Sequence, residues 1–222
     1  MWRDALLVAA KDLRVEWRSR VARNQLVPFA LAVLLLFGLA LGPDRALLQS
    51  SAAGLFWVAV LLATLLAVQR SFAIESADDA RDGLRLSGLD PGGIFVGKAA
   101  AIAVELVCLE AVLGVGASVL FDVHLGAALA LGATCLLATA ALASLGTVHG
   151  VVTAGARARE TLLPLLFLPV VAPVLIAAVK ASRAALDGHP GAAAGWLDLL
   201  GVLALVYGAL GTVAFGPLLE DQ

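Results

Sequence analysis

The residue that most directly suggests chemistry is Glu110, a carboxylate in the middle of an apolar segment, residues 98–120, that also holds Glu105. A charge at mid-depth in a membrane is costly, so such residues are usually functional or paired. Glu110 is therefore a candidate for a mechanistic role. The alternative is that it is protonated, or bonded to a neighbouring hydroxyl or exposed backbone group. Glu105 lies two turns from Lys98 on nearly the same helical face, where the two could pair.

The histidines and cysteines form no recognisable catalytic or metal site. His124, His149 and His189 are scattered, whereas a heme or metal site needs histidines at an enclosed apolar position. Cys108 and Cys135 form no CxxC pair and are predicted to be packing residues. Because no nucleophile–base pair or carboxylate dyad stands out, an intramembrane enzyme is disfavoured. We assign no catalytic residue, bound cofactor or metal ligand from the sequence.

Residues 92–98, GGIFVGK, match the phosphate-binding pattern G-x-x-x-x-G-K. Ala99 replaces the Ser or Thr that would hold magnesium, and no strand precedes the motif. We therefore do not interpret it as a nucleotide site. Lys98 is instead expected at the membrane interface, with its ammonium group snorkelling to water.

Composition places the chain among polytopic membrane proteins. It has 222 residues, of which 61% are hydrophobic and 14% charged, and its mean hydropathy is +0.98. Six apolar segments are long enough to be spans, or nearly so: residues 26–41, 51–68, 98–120, 126–148, 161–179 and 196–215. The predicted fold is one all-α domain, residues 1–222, with six transmembrane helices. A net charge of −2 gives no reason to expect a nucleic-acid partner.

The first 25 residues are predicted to form an amphipathic helix. Trp2, Leu6, Ala9, Leu13 and Trp17 share one side, with basic residues on the other. Such a helix lies in the membrane interface and is attracted to anionic lipid. The alternative is a helix that packs on protein.

The distribution of basic residues predicts the topology. Twelve of the fifteen Lys and Arg residues fall in the amino-terminal segment, residues 70–98 and residues 149–160; the other three are Arg45, Lys180 and Arg183. By the positive-inside rule, both termini and the connector at residues 70–97 are therefore cytoplasmic.

The fifth span, TLLPLLFLPVVAPVLIAAV at residues 161–179, holds three prolines. Pro164 is predicted in the first turn, where its missing N–H is harmless. Pro169 and Pro173 are predicted in the interior, where each removes a backbone hydrogen bond and kinks the helix. A carbonyl group that loses its amide donor in lipid must accept a hydrogen bond from a neighbouring helix, a hydroxyl or water. We therefore expect this helix inside the bundle. A kinked, packed helix is a candidate moving part; a static kink is the alternative.

The same span resembles the signature helix of the heme exporter B (CcmB-type) family, the membrane subunit of the cytochrome c maturation ABC transporter. The charged start KDLRVEWRSR, residues 11–20, the Gly42–Pro43 end of the first span and the layout of residues 70–98 are also similar to that family. RDGLRLSGLD, residues 81–90, departs from it, since a more acidic and leucine-rich stretch is expected there.

The resemblance implies an ABC-2 exporter-type permease in the bacterial inner membrane, with a cytoplasmic coupling helix between spans two and three. The implied partners are a separate ATPase subunit that binds ATP, a second copy of this chain and a heme-handling membrane subunit; heme is the implied ligand. The candidate coupling residues lie in the connector: Glu75, Asp79, Asp82, Gly83, Leu84 and Leu86. The alternatives are a permease for lipid or drug export and a non-transporting scaffold for heme-handling subunits.

Overall fold

Seven helices make up most of the described chain. The computed structural model describes residues 1–19, 22–77, 88–123, 126–154 and 159–220. Its helices are α1 (Trp2–Ser19), α2 (Val27–Leu41), α3 (Arg45–Ala77), α4 (Pro91–Phe121), α5 (Ala128–Ala154), α6 (Arg159–Leu186) and α7 (Ala194–Glu220). A π-helical turn at Ala22–Leu26 leads into α2, and a short 3₁₀ turn at Pro190–Ala193 leads into α7.

The predicted class of fold is confirmed. Within the described ranges, six helices are long and apolar enough to cross a membrane, and they correspond to α2 to α7. Each predicted span overlaps one of them, but most of the helices are longer, because they continue past the apolar run into charged or turn residues. At the start of α4, for example, the Asp90 side chain accepts a hydrogen bond from the Gly93 amide at 2.7 Å, so the helix begins at Pro91.

The bundle has two distinct ends. We call the end where α3 finishes and α4 begins the connector end, and the opposite one the far end. Met1 packs beside Gly93 and Gly216 lies near Pro91, so the first and last helices both reach the connector end. At the far end, Arg45 pairs with Asp122 at 3.1 Å and ties two turns together.

Helix α5 is at the centre of the bundle, packed against α3, α4, α6 and α7. Small residues allow its backbone to approach its neighbours closely, as in many membrane bundles. A methyl group on Gly146 would lie 2.6 Å from Val68 Cγ2, and one on Gly150 would overlap the Phe72 ring. Helix α5 therefore fits the last turns of α3 only because it carries glycine at these positions.

Helix α1 packs on α4 through a face other than the tryptophan face. Ala5 and Val8 are buried against α4, and a Cβ on Gly97 would lie 2.6 Å from the Ala5 carbonyl oxygen. Trp2 and Trp17 are 75% and 88% exposed. The helix thus has a protein face and a separate aromatic face. Its position in the membrane interface, with the aromatic face towards lipid, stays a prediction.

Helix α6 corrects the expectation for Pro164. The helix begins at Arg159, so Pro164 lies in its second turn and interrupts the internal hydrogen-bonding pattern, as Pro169 and Pro173 do. The sequence predicts a later first turn because the apolar run begins at residue 161, two residues after the helix begins at Arg159.

The three prolines stand on a helix that packs against α3, α5 and α7. Its buried face carries Phe167, Val171 and Val174, whereas Pro169 and Pro173 are on the exposed side. Between Pro169 and Pro173, the Tyr207 hydroxyl of α7 donates to the Val170 carbonyl oxygen at 3.1 Å. This bonded carbonyl is one residue after that of Pro169, the group that Pro173 leaves without its amide donor.

Candidate functional site

A cluster of charged side chains occupies the connector end, and Lys98 is at its centre. Lys98 is only 2% exposed, and its Nζ lies 3.4 Å from Oδ2 of Asp12 on α1. The sequence prediction that Lys98 snorkels to water is therefore wrong, because α1 covers this part of α4 and supplies a buried counter-ion. Among the described ion pairs, Lys98 pairs with Asp12 and not with Glu105.

A second ion pair joins α1 to the end of α3. Nη1 of Arg70 lies 2.7 Å from Oε1 of Glu16, and both side chains are mostly buried. Arg70 precedes the connector in sequence and Lys98 follows it. Helix α1 therefore holds both flanks of the connector through carboxylates one helical turn apart.

Phe72 extends this cluster into the centre of the bundle. Its ring centroid lies 4.9 Å from Nζ of Lys98, within range of a cation–π interaction. The ring is 2% exposed and packs on Gly150 of α5. We call Asp12, Glu16, Arg70, Phe72 and Lys98 the connector clamp. Through it, α1, α3, α4 and α5 contact one another close to where the connector leaves α3 and enters α4.

Sequence reasoning missed the acidic half of the connector clamp, although a signal was present. Ala5, Val8, Asp12 and Glu16 fall on one stripe of α1 at helical spacing. That stripe begins with apolar residues and ends with acids, so it fits neighbouring helices that are apolar beside its start and basic beside its end. Trp2 and Trp17 gave the other face of α1 the stronger amphipathic pattern.

The coupling residues predicted from the connector are not tested by this geometry. Glu75 falls in the last turn of α3, but its side chain lies outside the described part. Asp79, Asp82, Gly83, Leu84 and Leu86 lie outside the described residues. The coupling helix is predicted at residues 72–86, and its first part continues the second span, because residues 72–77 belong to α3.

The G-x-x-x-x-G-K pattern at residues 92–98 forms the first two turns of α4. Its glycines serve helix packing: a Cβ on Gly93 would lie 2.8 Å from the Met1 carbonyl oxygen, and Gly97 contacts Ala5 and Val8. The lysine of the motif is the cation of the connector clamp.

Glu110 lies deep in the bundle and is bonded to a hydroxyl, as one of the sequence alternatives proposed. The side chain is 4% exposed, and its Oε1 accepts a hydrogen bond from Thr139 Oγ1 of α5 at 2.5 Å. Its second oxygen has no hydrogen-bond partner among the described residues. Glu110 is far along α4 from the connector clamp, about twelve residues or 18 Å beyond Lys98 at 1.5 Å per residue.

Of the described histidines, His149 packs within the bundle and His189 lies in a turn. Nδ1 of His149 lies 2.9 Å from the Leu145 carbonyl oxygen, and the ring meets Phe167 edge-on at a centroid distance of 5.6 Å. His189 precedes the 3₁₀ turn at the far end. His124 lies outside the described residues.

Comparison with known proteins identifies the family. The model of the CcmB protein family matches residues 3–221, nearly the whole chain. This chain belongs to the CcmB family. The relationship predicted from the proline-containing span is thereby confirmed, and the match includes α1 and every span.

Relatives in the CcmB family match over most of their length. Heme exporter protein B of Pseudomonas aeruginosa is 35% identical over 213 residues, 90% of each chain. The proteins of that name from Haemophilus influenzae and Bradyrhizobium diazoefficiens are 31% and 30% identical, over 81% of both chains in the first case and 92% of this chain and 93% of the relative in the second. The match covers all six membrane-spanning helices, so the chain is a multi-pass membrane protein of this family.

Proposed function

We propose that this chain is the membrane permease subunit of an ABC transporter complex for c-type cytochrome biogenesis. The observation that carries the proposal is the CcmB family match over residues 3–221, together with relatives named heme exporter protein B. The subunit supports either heme export or the ATP-driven release of a heme-loaded chaperone in the periplasm. Heme is the handled ligand in both versions.

The energy source is a separate ATPase subunit. The phosphate-binding pattern of this chain is taken up by helix packing, so the chain borrows the free energy of ATP hydrolysis from a partner. Closure of two ATPase subunits pushes two copies of this chain about their shared interface. A heme-handling membrane subunit completes the complex, which lies in the bacterial inner membrane with both termini of this chain in the cytoplasm. The twelve-to-three distribution of basic residues supports this orientation.

The connector clamp gives the proposal a mechanical route. A force on residues 78–87 acts on the end of α3 and the start of α4. Two ion pairs join these helix ends to α1. Phe72 carries the displacement to α5, which contacts four of the other five spans. A partner can shift such an equilibrium only through different contacts with its two states, so the ATPase contacts the connector differently with and without ATP.

Two measurements test the proposal. The first is rescue of c-type cytochrome maturation by this chain in a strain that lacks its own CcmB protein. The second is co-purification of an ATPase with the chain from native membranes. Failure of rescue with an ATPase still bound would favour lipid or drug export. Rescue without any co-purifying ATPase would favour a non-transporting scaffold.

A further inference from the structure

A cavity of about 250 Å³ lies between α3, α4, α5 and α6, away from the connector clamp. Its wall includes residues near the far-end turns, such as Val123, Ala128 and Leu186, so it occupies the far-end half of the bundle. The wall is almost entirely apolar. Among the described residues that line it, Glu110 is the only carboxylate.

The carboxylate of Glu110 is incompletely paired. Thr139 satisfies Oε1, while Oε2 is buried without a hydrogen-bond partner among the described residues. Of the other polar groups on the wall, Ser118 donates to the Val115 carbonyl oxygen, and Ser182 accepts from Trp57 Nε1 at 3.0 Å. The Cys135 thiol, a weak donor, lies beside the Glu110 carboxylate. A carboxyl group in such surroundings is either protonated or paired with a cation, because an unpaired buried charge is very costly.

We propose that this cavity binds a small amphiphilic cation, an ammonium group on an apolar body, with the Glu110 carboxylate as its counter-ion. An anionic ligand would be repelled by Glu110, and a neutral apolar one would leave the carboxylate unpaired. A bare divalent cation needs several oxygen ligands, whereas the described wall offers one carboxylate.

The size of the cavity limits the ligand. A cavity of roughly 150 Å³ is enough for benzene, so 250 Å³ accommodates a phenyl ring with a short alkyl arm. The apolar wall would bind the ring, and the single carboxylate would fix its orientation, which is the usual division of work in a small-molecule site. This inference does not depend on the heme assignment, and its failure would leave the proposed function unchanged.

The test uses the 222-residue chain in nanodiscs and two probes, 2-phenylethylammonium and its neutral isostere propylbenzene. Binding is followed by calorimetry and by the shift in Tm. The ammonium probe is expected to bind about tenfold or more tightly than propylbenzene, the usual size of a charge-assisted hydrogen bond. Glu110→Gln keeps the shape of the side chain and is expected to remove this preference.

A second variant tests the cavity without changing Glu110. A Cβ on Gly114, which lines the cavity, meets no atom within 4 Å, so Gly114→Leu should fill the space and abolish binding of both probes. Gly201→Leu is the matched control, because Gly201 also has open space but lies on α7 outside the cavity. The proposal is overturned if both probes bind equally, if neither binds, or if the preference for ammonium persists in Glu110→Gln or Gly114→Leu.

Discussion

At the scale of single residues, the chain buries charge where partners are supplied by other helices. Lys98 and Arg70 would be costly in a membrane bundle if they lacked counter-ions. Asp12 and Glu16 supply them from α1, at 3.4 and 2.7 Å. The cost of each buried charge thus makes the attachment of α1 to α3 and α4 specific.

Asp12→Asn is expected to destabilise the chain by about 3 kcal/mol, since it removes the carboxylate that lies 3.4 Å from the buried Lys98 ammonium. Thermal unfolding in detergent measures the loss. Asp187→Asn is the control: the Arg183–Asp187 pair spans 3.8 Å with both side chains more than half exposed, so its loss should cost under about 1 kcal/mol. The double variant Asp12→Leu with Lys98→Met should recover most of the stability, and additive losses in it would contradict the pairing.

Gly150→Ala is expected to destabilise the bundle by about 1–3 kcal/mol, the usual cost of overpacking, because the new methyl group overlaps the Phe72 ring. Gly132→Ala, on the same helix, meets no atom within 4 Å and should be neutral or gain up to about 1 kcal/mol from helix propensity. Chemical unfolding of the two variants in mixed micelles compares them. Equal stabilities would show that α3 and α5 do not pack as described.

At the scale of elements, α1 and α6 each have one face packed on protein and another face that is exposed. Helix α1 attaches to α4 through small residues and leaves its tryptophans exposed. Helix α6 packs through its aromatic and β-branched face, while Pro169 and Pro173 remain on the outside. Because Pro169 and Pro173 lie on the outer face, they do not enter the packing of Phe167 and Val171. A bend of the helix at these prolines stays a prediction.

Pro173→Ala is expected to keep or raise Tm, because proline in a helix interior is about 3 kcal/mol less favourable than alanine. If the kink takes part in movement, the same change lowers c-type cytochrome maturation in the complementation strain. Pro217→Ala in α7 is the matched control, a second exposed proline inside a helix, and should leave maturation intact. Normal maturation with Pro173→Ala would support the static kink.

At the scale of the whole molecule, the fold separates two regions. The connector clamp, Met1 and Gly216 lie at one end of the bundle, and the cavity that holds Glu110 lies toward the other. The central helix α5 contacts both regions, through Phe72 at Gly150 and through Glu110 at Thr139. Helices α3 and α4 also contribute side chains to both regions, so a displacement at the connector can reach the far-end half through α3, α4 and α5 together.

Leu84→Asp is expected to reduce assembly with the ATPase, or its ATP hydrolysis within the complex, because it places a charge in the predicted coupling contact. Pull-down and ATPase assays on the native complex measure both effects. Ala192→Asp adds the same charge to an exposed turn at the far end and should change neither. Unchanged assembly and hydrolysis with Leu84→Asp would show that the coupling site is elsewhere.

The sequence by itself determined the class of fold and the family. Long uncharged runs are candidate spans, and a span of this kind is helical because backbone groups in lipid must be satisfied within the segment. The proline pattern of the fifth span indicated the CcmB family, and the isolated acid Glu110 was recognised as unusual because a charge at mid-depth is costly.

Only the tertiary structure decided which helix faces meet. Helical periodicity shows which residues share a stripe, but it does not show which of two plausible stripes packs on protein. The tryptophan stripe of α1 was the stronger pattern, yet the stripe with Ala5, Val8 and Asp12 is the one that packs on α4, because Gly93 and Gly97 allow its backbone to come close. Lys98 is buried for the same reason: its counter-ion is 86 residues away in sequence, and the chain brings the two together only when α1 docks.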